Sequence, residues 1–150
     1  MNFSDTISPA LIQEVGQACL CRRVQRASRS VGKRFDDAFR AVGINNWQFT
    51  MLMSLVSPEP RTVNQIAAEL GMDRTTTTKN LRPLERRGLI EIRPDAKDGR
   101  VRRVLLTEAG DRLLAEALVQ WRGVHERLAA SLTGDQLQAL RRALEIISID

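Results

Sequence analysis

The sequence predicts a mainly α-helical chain with one small β-hairpin, an α+β arrangement in which helices precede and follow the hairpin. Three observations carry this. Apolar residues recur at intervals of three and four toward both ends of the chain, the period of an amphipathic helix. From Leu89 to Arg93 the period drops to two, as in a half-buried strand. Ser, Thr, Asn or Asp stands just ahead of each helical stretch, with Gly close behind several of them, the residue types that cap helices. At 150 residues the chain fits one domain able to bury a core without disulfide or metal staples.

Ser8 predicts an N-cap with Pro9 at the first helical position. That helix is expected to run unbroken to about Val42, where Gly43 ends it. A helix so long leans on a second chain or a bundle, and Cys21, Val24, Ser28, Val31, Phe35, Ala38 and Val42 form its expected buried stripe. Asn46 is expected to cap a second helix, Trp47 to Val56, which is apolar nearly all round and therefore central; Pro58 and Pro60 end it. Thr62 caps a short helix from Val63 to Leu70, closed by Gly71, and Asp73 caps another from Arg74 to Arg87, closed by Gly88. Two short helices joined by a Gly-containing turn make a helix-turn-helix. Pro83 removes the bond to the Lys79 carbonyl and predicts a kink beyond the first turns.

Ile90 and Ile92 share one face of the first strand. Pro94 to Arg100 forms a polar tip, and Val101 to Leu106 returns as the second strand. The hairpin is thus a wing on the helix-turn-helix. Thr107 caps a long helix to about Ser131, with Leu114, Leu118, Trp121 and Leu128 on one side. Thr133 caps the last, where Leu137, Leu140, Leu144 and Ile147 repeat in heptad-like spacing. These end helices carry more apolar stripe than one small core needs, which predicts a homodimer. Residues 46–107 form the expected winged helix-turn-helix lobe of this single chain, and residues 8–43 with 108–148 the dimerisation helices.

Hydrophobic residues at 43% and charged residues at 27% indicate a soluble globular chain. No apolar run approaches the ~20 residues of a membrane span. Met1 to Val15 lacks the layout of a secretory signal, so a cytoplasmic protein is expected. The net charge is +5, and its placement says more than its size. Between Arg61 and Thr107 stand eleven Lys or Arg and six Asp or Glu, so this stretch carries all of it. A local positive field is the footprint of nucleic-acid binding.

On the Arg74 to Arg87 helix, Thr77, Leu81 and Leu84 are expected to face inward. That leaves Arg74, Thr75, Thr76 and Lys79 toward the amino-terminal end, from which helix-turn-helix proteins read the major groove. Arg and Lys suit guanine acceptors or phosphates, and Thr hydrogen-bonds or touches a thymine methyl. Arg86 joins them as a candidate DNA contact. In the wing, Arg100 is expected to enter the minor groove, with Lys97, Arg102 and Arg103 on phosphates and Asp98 pairing an arginine to fix the loop. Double-stranded DNA is the expected partner. His125 is the only histidine; there is no phosphate-binding glycine loop and no metal-ligand cluster, so no enzyme activity, cofactor or metal is expected.

In order, the chain carries Val63-Asn64-Gln65-Ile66-Ala67, Gly71, Asp73-Arg74 and Leu84-Glu85-Arg86-Arg87-Gly88-Leu89-Ile90. Asp98-Gly99-Arg100 and Leu106-Thr107-Glu108-Ala109-Gly110 follow. In this sequence of motifs the chain resembles the MarR family of regulators from about Leu20 to Ile147. The resemblance implies an obligate dimer built from the first and last helices. It also implies a pseudo-palindromic operator, and repression relieved by a small ligand or an oxidant.

Two signals are open. An anionic or aromatic effector would lie between the dimer helices and the DNA lobe, against Phe35, Phe39, Trp47, Phe49 and Met51. Arg26 belongs to a basic stripe with Arg22, Arg29 and Lys33 that is a solvated face or meets such a ligand, DNA phosphates or a partner subunit. The alternative is a thiol. Cys19 and Cys21 lie two apart, too far around a helix to bridge within one chain. Cys21 falls where the organic-hydroperoxide-sensing branch of the family has its reactive cysteine. That branch stabilises the thiolate with tyrosine hydroxyls. This chain has no tyrosine; Phe35 and Gln25 stand in those places, which leaves Cys21 without donors. Cys19 lies beside Arg22 and Arg26 as the second thiol.

Overall fold

A computed structural model describes residues 7–148. The described residues divide into two compact units, one ending at Arg34 and the other beginning at Phe35. Helix α1 (Pro9–Ala18) and most of α2 (Leu20–Phe39) make up the first. Ser8 caps α1 as expected, its Oγ accepting from the Leu11 amide at 3.2 Å. The expected single long helix is corrected: it breaks at Cys19, whose backbone is extended (φ −64°, ψ 104°). No proline marks the break, because side chains supply what a continuous helix would have supplied. The Arg22 guanidinium donates to the Gly16 carbonyl at 3.1 Å and that of Arg23 to the Gln17 carbonyl at 2.7 Å, while Cys19 Sγ accepts from the Arg22 amide at 3.5 Å. The expected buried stripe also changes character, for Cys21, Val24, Ser28 and Val31 are exposed and the stripe enters a core only from Phe35 onward.

In the second unit, α2 ends in a single 3-10 turn (Arg40–Val42) at Gly43. Helix α3 (Asn46–Ser54) starts one residue before the expected place. Asn45 is the cap, in a reciprocal box with Gln48. Asn46 is engaged elsewhere: its amide N and its side-chain Nδ2 both donate to Asp36 Oδ1 at 2.7 Å, tying α3 to the end of α2. A two-residue strand β1 (Arg61–Thr62), which periodicity does not reveal, precedes α4 (Val63–Glu69) and α5 (Arg74–Arg86). Gly71 at φ 61° and Gly88 at φ 69° close these two helices in the left-handed region that strains any residue with a β-carbon. Pro83 lies inside α5, which continues past it.

Strands β2 (Ile90–Pro94) and β3 (Arg102–Leu106) form the wing, in an antiparallel sheet of order β1-β3-β2. Its register sets Ile90 opposite Leu106 and Ile92 opposite Val104. Helices α6 (Glu108–Ala129) and α7 (Gly134–Ile147) follow, capped by Thr107 and Thr133 as expected. Among the described residues, no helix is long and apolar enough to cross a membrane.

One core serves α3, α4, α5, the wing and α6. Phe39, Met51, Leu52, Ile66, Leu81, Leu84, Val104 and Leu114 are all buried in it. The rings of Phe35, Phe39 and Phe49 stack in series, with centroids 5.8 and 4.6 Å apart. Each buried leucine stabilises the fold by about 1.5–3 kcal/mol. Because Thr77, Leu81 and Leu84 point into this core, the opposite face of α5 is committed to the surface.

Candidate nucleic-acid interface

Asp73 organises the start of α5. One carboxylate oxygen accepts from the Thr76 amide at 2.8 Å and the other from the Thr76 hydroxyl at 2.6 Å. Those bonds, led by the hydroxyl, hold its carboxyl below the ordinary value. The next two threonines fold their hydroxyls back onto the helix. Thr77 donates to the Asp73 carbonyl and Thr78 to the Arg74 carbonyl, both at 2.9 Å. Among the described residues, only Thr75 of the four leaves its hydroxyl without a hydrogen-bond partner.

Arg74, Thr75, Thr78, Lys79 and Arg82 line an open depression of about 450 Å³ along α5. A second, of about 310 Å³, is lined by Thr62, Val63, Asn64, Arg74, Arg100, Val101 and Arg102. Arg74 borders both, so the helix and the wing share one cationic surface, and neither lining includes a carboxylate. A surface of this kind attracts polyanions, since nothing in it opposes the guanidinium field.

The wing is fixed from within. Asp95 Oδ1 accepts from the amides of Lys97 and Asp98, at 2.8 and 3.1 Å, and Oδ2 accepts from Arg103 Nε. Two expectations are corrected here. Arg103 is a structural strut rather than a phosphate contact, its Nη1 donating to the Pro60 carbonyl at 2.7 Å. Among the described residues Asp98 pairs with no arginine side chain; it accepts from the Arg100 amide at 3.0 Å, and Asp95 holds the Arg103 guanidinium.

Of the residues expected to face DNA, Arg74, Thr75, Lys79, Arg100 and Arg102 come together around the two depressions. Thr76 is exposed but its hydroxyl is held by Asp73. Arg86 is exposed in the last turn of α5 and Lys97 at the wing tip, and neither borders these two depressions. Thr78 and Arg82 were not anticipated. Their spacing of three and four from Thr75 and Thr78 places them on the same helical face, and that is the signal that finds them.

Residues 42–101 match the sequence profile of the MarR family. The organic hydroperoxide resistance transcriptional regulator of Bacillus subtilis is 30% identical over 125 residues, spanning 83% of this chain and 84% of that protein. The chain belongs to the MarR family. Among solved structures it is similar to the M. tuberculosis transcriptional regulator MosR in complex with DNA, at 34% identity and a TM-score of 0.79, covering 87% of this chain and 93% of that one. The transcriptional repressor CouR bound to a 23-mer DNA duplex is 29% identical, with a TM-score of 0.82, covering 92% and 97% of the two chains.

Of the residues expected to line an effector site in this MarR-family chain, Phe39, Phe49 and Met51 are buried in the core cluster of the second unit. Phe35 is half-buried and Trp47 is 55% exposed, which leaves these two accessible in the second unit. Arg26 is exposed on α2 in the first. The expectation that Cys21 lacks donors is also corrected. Its thiol is exposed, and Gln25, one of the residues in a tyrosine's place, donates from Nε2 to Sγ at 3.3 Å.

Proposed function

We propose that this protein is a transcriptional repressor that binds a pseudo-palindromic DNA duplex as a homodimer, with α5 in the major groove and the wing in the minor groove. The observation that carries the reading is the continuity of the two depressions through Arg74, free of any lining carboxylate. In it Arg74, Thr75 and Lys79 meet base edges and phosphates, and Arg100 enters the minor groove. Thr76, Arg86, Lys97 and Arg102 position the protein along the backbone. The residues around these groups are those of a binding surface and not of a catalytic one, and the cytoplasm is where such a protein meets its operator.

The dimer reading rests on unpartnered apolar surface in each unit. No residue of α1 or α7 is buried, and Leu11, Ile12 and Val15 in the one and Leu140, Leu144 and Ile147 in the other are exposed. Large exposed apolar stripes mark association surfaces.

Titration of duplex DNA at several salt concentrations tests the proposal. Affinity should fall steeply with salt, with a log–log slope near −0.9 per phosphate neutralised. Lys79→Ala and Arg100→Ala should each flatten that slope by about one per subunit. Binding to no duplex drawn from a random pool would refute the reading.

For the signal, the Gln25–Cys21 bond favours an oxidant over an aromatic ligand, as does the name of the Bacillus subtilis relative. A hydroperoxide would transfer one oxygen to Cys21 Sγ, forming the sulfenic acid and releasing the alcohol.

A further inference from the structure

The four consecutive threonines of α5 are chemically identical, but the structure separates them by what each hydroxyl is doing. Thr76 and Thr77 are committed to Asp73, the first through its carboxylate and the second through its carbonyl. Thr75 and Thr78 are the two that line the depression beside Arg74, Lys79 and Arg82, and they differ. The Thr75 hydroxyl has no partner among the described residues, so its donor and both lone pairs are available. The Thr78 hydroxyl donates its hydrogen bond to the Arg74 carbonyl at 2.9 Å. With the oxygen drawn back to the backbone, Thr78 offers the depression its methyl group and no donor.

We propose that Thr75 and Thr78 divide base reading between them: Thr75 recognises a hydrogen-bonding group on a base edge, and Thr78 recognises the 5-methyl group of a thymine. The inference rests on the DNA-binding reading above and deepens it. Only a pyrimidine carrying a 5-methyl group presents an apolar surface in the major groove, and in ordinary DNA that is thymine. A threonine whose donor is engaged therefore discriminates thymine from cytosine without a hydrogen bond. A neighbouring threonine with a free hydroxyl discriminates by the donor and acceptor pattern instead.

The two roles call for opposite substitutions. Full-length protein would first select its preferred duplex from a randomised pool. Thr75→Ser should then bind that duplex within about two-fold of wild type, and Thr75→Val should lose about ten-fold per half-site, as for one mismatched base pair in each. At Thr78 the order should reverse, with valine tolerated and serine losing about four-fold per half-site, the equivalent of one methyl-sized group at ~0.8 kcal/mol. Replacing thymines of the duplex by uracil one at a time should reveal one position per half-site where wild type loses a similar factor. Thr78→Ser should show no further loss at that position. Circular dichroism and thermal midpoints of all four variants establish that each is folded. If Thr75→Val binds like wild type, if Thr78→Val weakens binding while Thr78→Ser does not, or if uracil costs Thr78→Ser as much as wild type, the division is wrong although the protein binds DNA. A wild-type protein that enriches no duplex overturns the DNA reading, and the inference falls with it.

Discussion

Asp95 and Arg103 clasp each other where the wing strands meet its tip, with Arg103 Nε donating to Asp95 Oδ2 and Arg103 Nη1 to the Pro60 carbonyl at 2.7 Å. The tip carrying Arg100 is thereby anchored both to its own hairpin and to the segment entering β1. An anchored arginine loses less conformational freedom on meeting DNA than a free one.

This clasp predicts a pH dependence. Hydrogen bonding from Arg103 first, then from the Lys97 and Asp98 amides, lowers the Asp95 carboxyl from 3.8 to about 2. A carboxyl lowered in the folded state adds stability that is complete above the unfolded value and is lost as pH falls toward the folded one. Thermal midpoints of wild type and Asp95→Asn should differ by a constant amount down to about pH 5 and converge below about pH 4. A gap that widens on acidification would contradict the assignment.

Gly110 is where α6 meets the wing. A β-carbon there would collide with the Leu89 carbonyl oxygen and lie 2.8 Å from Leu106 Cδ1. The first is backbone and cannot swing aside. Gly110→Ala should destabilise the fold by about 1–3 kcal/mol or more, read as a fall of several degrees in Tm. Gly134→Ala, with nothing within 4 Å of the added atom, is the control and should leave Tm nearly unchanged.

Leu140 and Leu144 are 47% and 43% exposed, so charging them leaves the core of the chain intact. Leu140→Glu with Leu144→Glu should convert a dimer to a monomer by light scattering, with unchanged helical content. A monomeric wild type, or a variant that still dimerises, would remove α7 from the interface.

Cys21→Ser should abolish release of DNA by an organic hydroperoxide, and Gln25→Leu should slow it by removing the one donor on Sγ. Competition binding before and after peroxide measures both. Release that survives Cys21→Ser but not Cys19→Ser would move the sensing thiol to the helix junction.

Much of this architecture is legible before any coordinates. Thr62, Asp73, Thr107 and Thr133 cap the helices they precede, and Gly71 and Gly88 sit at the predicted left-handed turns. Thr77, Leu81 and Leu84 face inward as their spacing requires. Apart from the break at Cys19 and the 3-10 turn that finishes α2, helix ends fall within two residues of expectation, the usual scatter of fraying termini. All of these depend on bonds or faces repeating within about four positions, which residue order dictates.

Long side chains choose partners that order does not dictate. Arg103 is separated from Pro60 by 43 positions, so sequence reads it as one more basic residue and only the folded sheet makes it a strut. The same holds for Asn46, drawn to Asp36 while Asn45 caps α3, and for Phe39 and Phe49, whose rings stack within the core. Residue order settled the helices, the turns and which end of α5 faces outward, because those follow from backbone geometry within a turn or two. Which arginines remain free for phosphate was settled when distant segments packed and claimed the others.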